Sequence, residues 1–291
     1  MYRGLQVRAS GAATAVARAY SPISEHMDVE FTELSDLGKV REGNEDYVGH
    51  TLPATPERVR SHGWFFALAD GVGGHDLGEV ASRTAIDTVV SGFRDSTGGE
   101  MHSNLLSRLV QTANRNVFDA GDEANSSGSS MATTLVACAL RFDRATVAHV
   151  GDSRCYLIRR GQAAPLTRDH TVANEQARLG LLSAEEASDS AHRHLLSRCL
   201  GGGLFVNVDV TEHQVFVGDV LVLCSDGLHG SVAGSEIAAL CGNGGDLMRS
   251  AQRLVDLANQ RDGSDNISLQ IIRVRSVERV GMYRGRPYRL P

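Results

Sequence analysis

The sequence predicts an α+β layered domain, antiparallel sheets flanked by helices, and three observations carry that reading. Short apolar runs of strand character recur as close neighbours joined by tight connections. Helical segments come in separate pairs and do not alternate one for one with the strands, as a doubly wound parallel sheet would require. No internal repeat and no linker-like stretch interrupts residues 28–275, which are read as one domain.

Taken in chain order, residues 1–27 stand apart. Arg3, Arg8 and Arg18 lie among alanines and serines, and no acid precedes Glu25. The stretch lacks the continuous apolar core of a secretory signal and the periodicity of a packed element, so it is read as a disordered extension. An organelle-targeting peptide or a misplaced start would share that composition. "DVEFTELSD" then opens the structured part directly after Met27. Strands are predicted at 64–69, 133–140, 145–150, 155–159, 220–224 and 267–274, with another beginning at Glu45 and Asp46 in "REGNEDYVGH". "RFDRA" and "RRGQ" predict hairpin turns.

Helical periodicity shows in 103–119, where Leu105, Leu106, Leu109, Val110, Ala113 and Val117 recur at three- and four-residue steps and Ser103 is placed to cap. Residues 78–93 and 245–259 read alike. "SAEE" predicts a helix start with Ser183 and Glu186 as a capping box. The final stretch, 276–291, carries many arginines and one acid. It is read as a mobile basic tail rather than a fold element.

Hydrophobic residues make up 42% of the 291-residue chain and charged residues 22%, enough to bury a sizeable core. A net charge of -6 gives no basic footprint for nucleic acid. No apolar run approaches the roughly 18 residues of a membrane helix, so no membrane association is expected. The five cysteines form no CxxC pair, and three lie within apolar runs, which points to reduced thiols in the cytoplasm.

Acids fall where the apolar runs stop. Asp70 ends "WFFALA", Asp226 follows "VLVLCS", Asp152 follows "ATVAHVG", and Asp265-Asn266 precedes "ISLQII"; Glu45 and Asp46 open another strand. Singly, each is also a turn former, Asp-Gly above all. Together they supply carboxylates that can converge at one rim of a sandwich. Converging carboxylates repel one another unless a cation neutralises them. An all-oxygen set suits Mg²⁺ or Mn²⁺ better than Zn²⁺, and Gly71 and Gly227 would let backbone approach such an ion. Other phosphate chemistry finds little support. There is no GxxxxGK[ST] loop and no GxSxG. No cysteine is read as a phosphatase nucleophile, and Cys155 misses the Cys-x₅-Arg spacing by one residue. A metal-bound water is the nucleophile that remains.

Seven blocks carry a resemblance: "SDLGKVREGNED", "ALADGVGGH", "MATTLVACAL", "HVGDSRCYLIRRG", "LTRDHT", "LCSDGLHG" and "GSDNISLQII". Their order, from about Leu34 to Ile272, resembles the metal-dependent serine/threonine protein phosphatases of type 2C, in their compact bacterial form. The resemblance implies a four-layer αββα sandwich. It implies that Asp70 bridges two Mn²⁺ or Mg²⁺ ions, that the Gly71 carbonyl binds the second, and that Asp226 and Asp265 complete the protein ligands of the first. Glu45 and Asp46 match acids that hold the waters of the metals, and Asp152 matches a ligand of a weaker third ion. Arg41 matches the arginine that forks onto the substrate phosphate, a task for which guanidinium geometry is suited.

The implied reaction is hydrolysis of phosphoserine or phosphothreonine in proteins, in one step, by a metal-bridging water attacking phosphorus. Val72 departs from the animal members, which carry a histidine proposed as general acid; a metal-held water is the candidate instead. His75 is read as a turn histidine that packs locally, and Ala132, where glycine is more usual, as a packing difference. Residues 169–203 resemble the flap beside the site in bacterial members. The implied partners are phosphoproteins, substrates of a serine/threonine kinase, acted on by a cytoplasmic monomer. A metal-binding pseudophosphatase or scaffold, or a phosphatase of small phosphoesters, is the rival reading. A pseudophosphatase would typically lose Asp70, Asp226, Asp265 or Arg41, and none is missing.

Overall fold

The computed structural model describes residues 7–9, 13–15, 26–72, 76–124, 131–283 and 286–289. Its strands are β1 (Val7–Ala9), β2 (Ala13–Ala15), β3 (Asp28–Asp36), β4 (Asp46–Thr51), β5 (Trp64–Val72), β6 (Ala132–Thr133), β7 (Leu135–Arg141), β8 (Arg144–Val150), β9 (Arg154–Arg159), β10 (Gln162–Pro165), β11 (Asp209–Gln214), β12 (Val220–Cys224), β13 (Ile267–Ser276), β14 (Val280–Tyr283) and β15 (Arg286–Arg289). The helices are α1 (Pro56–Ser61), α2 (Asp76–Arg94), α3 (His102–Ala124), α4 (Val172–Arg178), α5 (Ala184–Ser188), α6 (Asp226–His229), α7 (Gly234–Cys241) and α8 (Leu247–Arg261).

Period-two alternation sorts the strand side chains into layers. Along β5, Trp64, Phe66 and Leu68 face a core shared with Phe31 of β3, Val136 of β7, Leu221 of β12 and Ile272 of β13. Phe65, Ala67 and Ala69 face the other way, onto Ile86, Val89 and Phe93 of α2 and Leu106, Leu109 and Val110 of α3. On the opposite sheet, Leu269 and Ile271 of β13 and Val222 of β12 pack on Ile237 of α7 and Leu254 and Val255 of α8. One sheet runs β10-β9-β12-β13-β3, the other β11-β8-β7-β5-β4, and their pairings are antiparallel. Helices thus cover both outer faces, and the predicted αββα sandwich is the fold.

The hairpin turns stand where expected, with Phe142 (φ 61°) in "RFDRA" and Arg160 (φ 52°) with Gly161 (φ 75°) in "RRGQ". Several expectations are corrected. Ser103 does not cap α3: the amides of Asn104 and Leu105 bond the Met101 carbonyl, so the helix begins one residue earlier. His102 can lead it because its Nε2 donates to the His62 carbonyl at 2.8 Å and its ring packs on Phe93. Met27, assigned to the extension, is 1% exposed and belongs to the inter-sheet core. Within the extension itself, Val7–Ala9 pairs antiparallel with Ala13–Ala15.

The chain end is likewise not a tail without fold elements. β14 and β15 form an antiparallel hairpin. Glu278 is buried, with Oε2 at 2.9 Å from His26 Nδ1, Oε1 at 3.0 Å from Arg60 Nη2, and its amide bonded to the Phe142 carbonyl. Among the described residues no helix is long and apolar enough to cross a membrane.

Candidate active site

The antiparallel register of β4 and β5 sets Asp46 opposite Asp70. Two like charges directly opposed on a sheet repel, and here Asp46 is buried and Asp70 half-buried at the cavity wall. Burial pushes Asp46 up to about 7, with Asp226 and Asp265 adding repulsion against the relief given by hydrogen bonds from Ser225 and Ser268. Burial and then the charges of Asp46, Asp226, Asp152 and Asp265 hold Asp70 well above the ordinary carboxylate range. Burial pushes Asp152 up to about 7, with Asp226 and Asp169 next in effect. Asp226 is raised by burial and by Asp265.

These acids meet because one end of the sandwich collects the strand ends. A cavity of about 1040 Å³ there is lined by Arg41, Glu45, Asp70, Gly71, Asp152, Asp226 and Asp265. Of the predicted site residues only Asp46 lies behind the wall. Its Oδ2 accepts from Ser225 Oγ at 2.8 Å, while its Oδ1 is buried with no hydrogen-bond partner. Asp226 Oδ1 is orphaned in the same way. A buried, unpaired carboxylate oxygen is costly, and two of them among mutually repelling acids make a donor set that fits a divalent cation. Among the described residues no three acids, imidazoles or thiols close on one point as a coordination shell.

Small polar side chains fix the acids. The Asp70 amide donates to Thr134 Oγ1 at 3.0 Å, the Thr134 amide donates back to the Asp70 carbonyl at 2.8 Å, and Thr134 Oγ1 lies 2.7 Å from Ser153 Oγ. Asn266 binds together the segment around Arg41. Its Oδ1 accepts from the Glu45 amide at 2.8 Å, its Nδ2 donates to the carbonyls of Leu37 and Gly43, and its own amide donates to Asp265 Oδ1 at 2.8 Å. Arg154 forks onto Asp169 with bonds of 2.8 and 2.6 Å. Sequence reasoning does not assign roles to Thr134, Ser153, Ser225, Asn266 or Arg154. The available signal is their polarity within otherwise apolar strand ends, in "MATT", "GDSR", "CSDG" and "SDN".

The two glycines expected to admit an ion are also required by the packing of the protein itself. A Cβ on Gly71 would stand 2.1 Å from the Gly78 carbonyl oxygen, and one on Gly227 2.1 Å from that of Asn266. Arg41 Nη2 donates to Asp265 Oδ2 at 2.8 Å. Val72 lines the cavity opposite Ala132, its register partner on β6. His75 lies outside the described residues. Cys138 and Arg144 do have the Cys-x₅-Arg spacing, but Cys138 is fully buried between the sheets, its thiol pushed up to about 12, and Arg144 opens the next strand. That pair forms no phosphate loop.

The segment resembling a flap closes on itself. The Val172 amide donates to the Leu195 carbonyl and the Ser197 amide to the His170 carbonyl, each at 2.8 Å. Inside, Ser183 and Glu186 form the predicted capping box of α5. Thr171, Asn174, His194 and Leu196 turn toward the cavity.

This pairing of sandwich and acidic rim has known counterparts. The family model described as protein phosphatase 2C matches residues 44–268. The serine/threonine phosphatase stp of Listeria innocua is 32% identical over 264 residues, covering 89% of this chain and 99% of that protein. The serine/threonine phosphatase of S. agalactiae superposes with a TM-score of 0.77 at 30% identity, over 85% of this chain and all of that one. The catalytic domain of the serine/threonine protein phosphatase PstP, in complex with two manganese ions, superposes with a TM-score of 0.73 at 31% identity, over 86% of this chain and 100% of that one. The chain belongs to the protein phosphatase 2C family. It is a metal-dependent serine/threonine protein phosphatase.

Proposed function

We propose that Asp70, the Gly71 carbonyl, Asp226 and Asp265 hold two divalent cations, Mn²⁺ or Mg²⁺, and that Asp46 and Glu45 orient the waters around them. Asp152 holds a weaker third. The observation that carries this reading is the opposition of buried Asp46 and half-buried Asp70, with orphaned oxygens on Asp46 and Asp226. When bound, the ions acidify a water to a nucleophile and neutralise charge on the phosphoryl oxygens.

The remaining work falls to the chain. Arg41, at the cavity mouth, exchanges its contact with Asp265 for a forked contact with the substrate phosphate and so aligns the ester. Thr134 and Asn266 keep Asp70 and Asp265 fixed, so little reorganisation accompanies the reaction. Val72 offers no proton, and delivery to the leaving serine or threonine oxygen falls to solvent in the cavity. The substrates are phosphoproteins made by a serine/threonine kinase, and the enzyme acts as a cytoplasmic monomer. Free thiols at all five cysteines agree with a reducing compartment.

The test is turnover, with Mn²⁺ supplied, of a phosphothreonine peptide beside a nucleoside monophosphate and a small aryl phosphate. Strong preference for the phosphopeptide, abolished by chelation and restored by Mn²⁺, is expected. Preference for the nucleotide would move the function to small phosphoesters. Metal binding without any turnover would mark a scaffold.

A further inference from the structure

His170 grips Gly151 from two directions. Its backbone amide donates to the Gly151 carbonyl at 2.8 Å, and its Nδ1 accepts from the Gly151 amide at 3.1 Å. Because Nδ1 accepts, the neutral ring carries its proton on Nε2. That nitrogen lies 3.1 Å from Asp209 Oδ2, so it donates there. The other Asp209 oxygen accepts from Arg198 Nη1 at 2.9 Å. Arg198 Nη1 also stands 3.2 Å from His170 Nε2, where two donors aimed at one carboxylate crowd without bonding. The second Arg198 nitrogen faces Glu175 Oε1 of α4 at 3.4 Å.

Each end of this chain of bonds has a distinct location. Arg198 and Glu175 belong to the base of the 172–195 loop. Gly151 precedes Asp152, whose carbonyl accepts from His229 Nε2 at 2.9 Å and whose side chain lines the cavity. Gly151 has little freedom of its own: it sits at φ 107°, and a Cβ there would meet the Thr134 side chain at 2.6 Å. The His170 ring is further held against His149, 4.5 Å away and buried, which has no hydrogen-bond partner at either nitrogen.

We infer that Arg198, Asp209 and His170 form a strut that sets the position of Asp152 by the position of the loop base, making these three positioning residues for the reaction. When the loop seats, Arg198 holds Asp209, Asp209 orients the His170 ring, and the ring fixes the Gly151–Asp152 peptide. When the loop lifts, the ring loses its anchor and Asp152 loosens. The structural half of this inference stands on the bonds alone. Its effect on turnover rests on the reading of Asp152 as a cation ligand given above.

Amide hydrogen exchange and steady-state kinetics on Asp209→Ala, Arg198→Ala and Arg198→Lys test it. In the full-length metal-free protein, Asp209→Ala and Arg198→Ala should speed exchange about tenfold at two separate places, the loop base (Val172, Ser197) and Gly151–Ser153. Exchange in β5 and β12 should stay at wild-type values. Arg198→Lys, which keeps one bond to Asp209, should recover part of the protection at both. With saturating Mn²⁺, kcat on a phosphopeptide should fall about tenfold with KM little changed. Faster exchange confined to the loop base, or spread evenly through the sandwich, would overturn the strut. An exchange pattern as expected, with unchanged kcat in an active enzyme, would overturn the functional half and leave the metal reading intact. An inactive wild-type protein would count against the phosphatase reading instead.

Discussion

Arg41 and Asp265 face each other across the cavity mouth, Nη2 to Oδ2 at 2.8 Å, with both side chains more than a third exposed. The acid that bonds Arg41, the residue proposed to bind phosphate, is thus itself one of the proposed cation ligands. On the proposed function, arginine and cation would compete for Asp265 until a phosphate gave the guanidinium another partner.

Arg41→Ala should therefore bind Mn²⁺ at least as tightly as the wild type while losing about 10²-fold in kcat/KM on a phosphopeptide. Arg41→Lys should recover only part, because an ammonium cannot fork. Calorimetry beside kinetics checks both. Weakened Mn²⁺ binding in Arg41→Ala would show that the arginine builds the site rather than serving the substrate.

Asp70→Asn and Asp226→Asn should each lower turnover by about 10² or more, since each removes a charge proposed to hold a cation. The same changes relieve repulsion, so the metal-free variants should melt no lower than the wild type. Full activity of either variant would falsify the two-cation assignment.

The pH dependence of the metal-free protein follows from the sign of the shifts. Asp46 and Asp152 are raised from 3.8 to about 7 in the folded state. Between those values the native state binds more protons than the unfolded one, so stability falls as pH rises. The contribution is fully present below about pH 4 and is lost as pH climbs through about 7. For Asp46 alone this is on the order of 4 kcal/mol as an upper bound. Chelated protein should thus melt progressively lower between pH 4.5 and 7.5 (roughly that window), and saturating Mn²⁺ should flatten the trend. Mn²⁺ binding near neutral pH should also release protons, measurable in buffers of different ionisation enthalpy.

Glu278 predicts a stability effect far from the chemistry. It is 4% exposed and takes both Arg60 and His26. Glu278→Ala should cost about 1–3 kcal/mol in denaturant unfolding of the intact chain. Truncation after residue 275 should cost more, because it also removes the end of β13. A truncated protein as stable as the full chain would return this segment to the role of a solvated tail.

The apolar runs "WFFALA" and "ISLQII" made the strands legible, because a strand buried on both faces reads as a continuous apolar run without reference to its partners. The acids were legible as a set because each interrupts an apolar run. Their pairing was not: that Asp46 meets Asp70 depends on the register of β4 on β5, which a single strand does not encode. Thr134 and Asn266 were illegible for a related reason, since an isolated threonine or asparagine at a strand end is an ordinary turn former. The misread ends have a physical cause too. Glu278 is a charged residue in an arginine-rich run, and only the approach of His26 and Arg60 makes its burial affordable. Ser103 has the chemistry of a cap, but the Met101 carbonyl already satisfies the amides it would serve.

The loop from Val172 to Leu195 begins and ends at adjacent backbone hydrogen bonds, Val172 to Leu195 and Ser197 to His170, each 2.8 Å long. Its length is therefore nearly decoupled from the sandwich beneath it, because doubling a loop whose ends already meet costs only about 0.6 kcal/mol. A lineage could therefore lengthen, shorten or replace it without re-solving the core. On the proposed function, selectivity among phosphoproteins could then diverge quickly over a rim of acids that stays where it is.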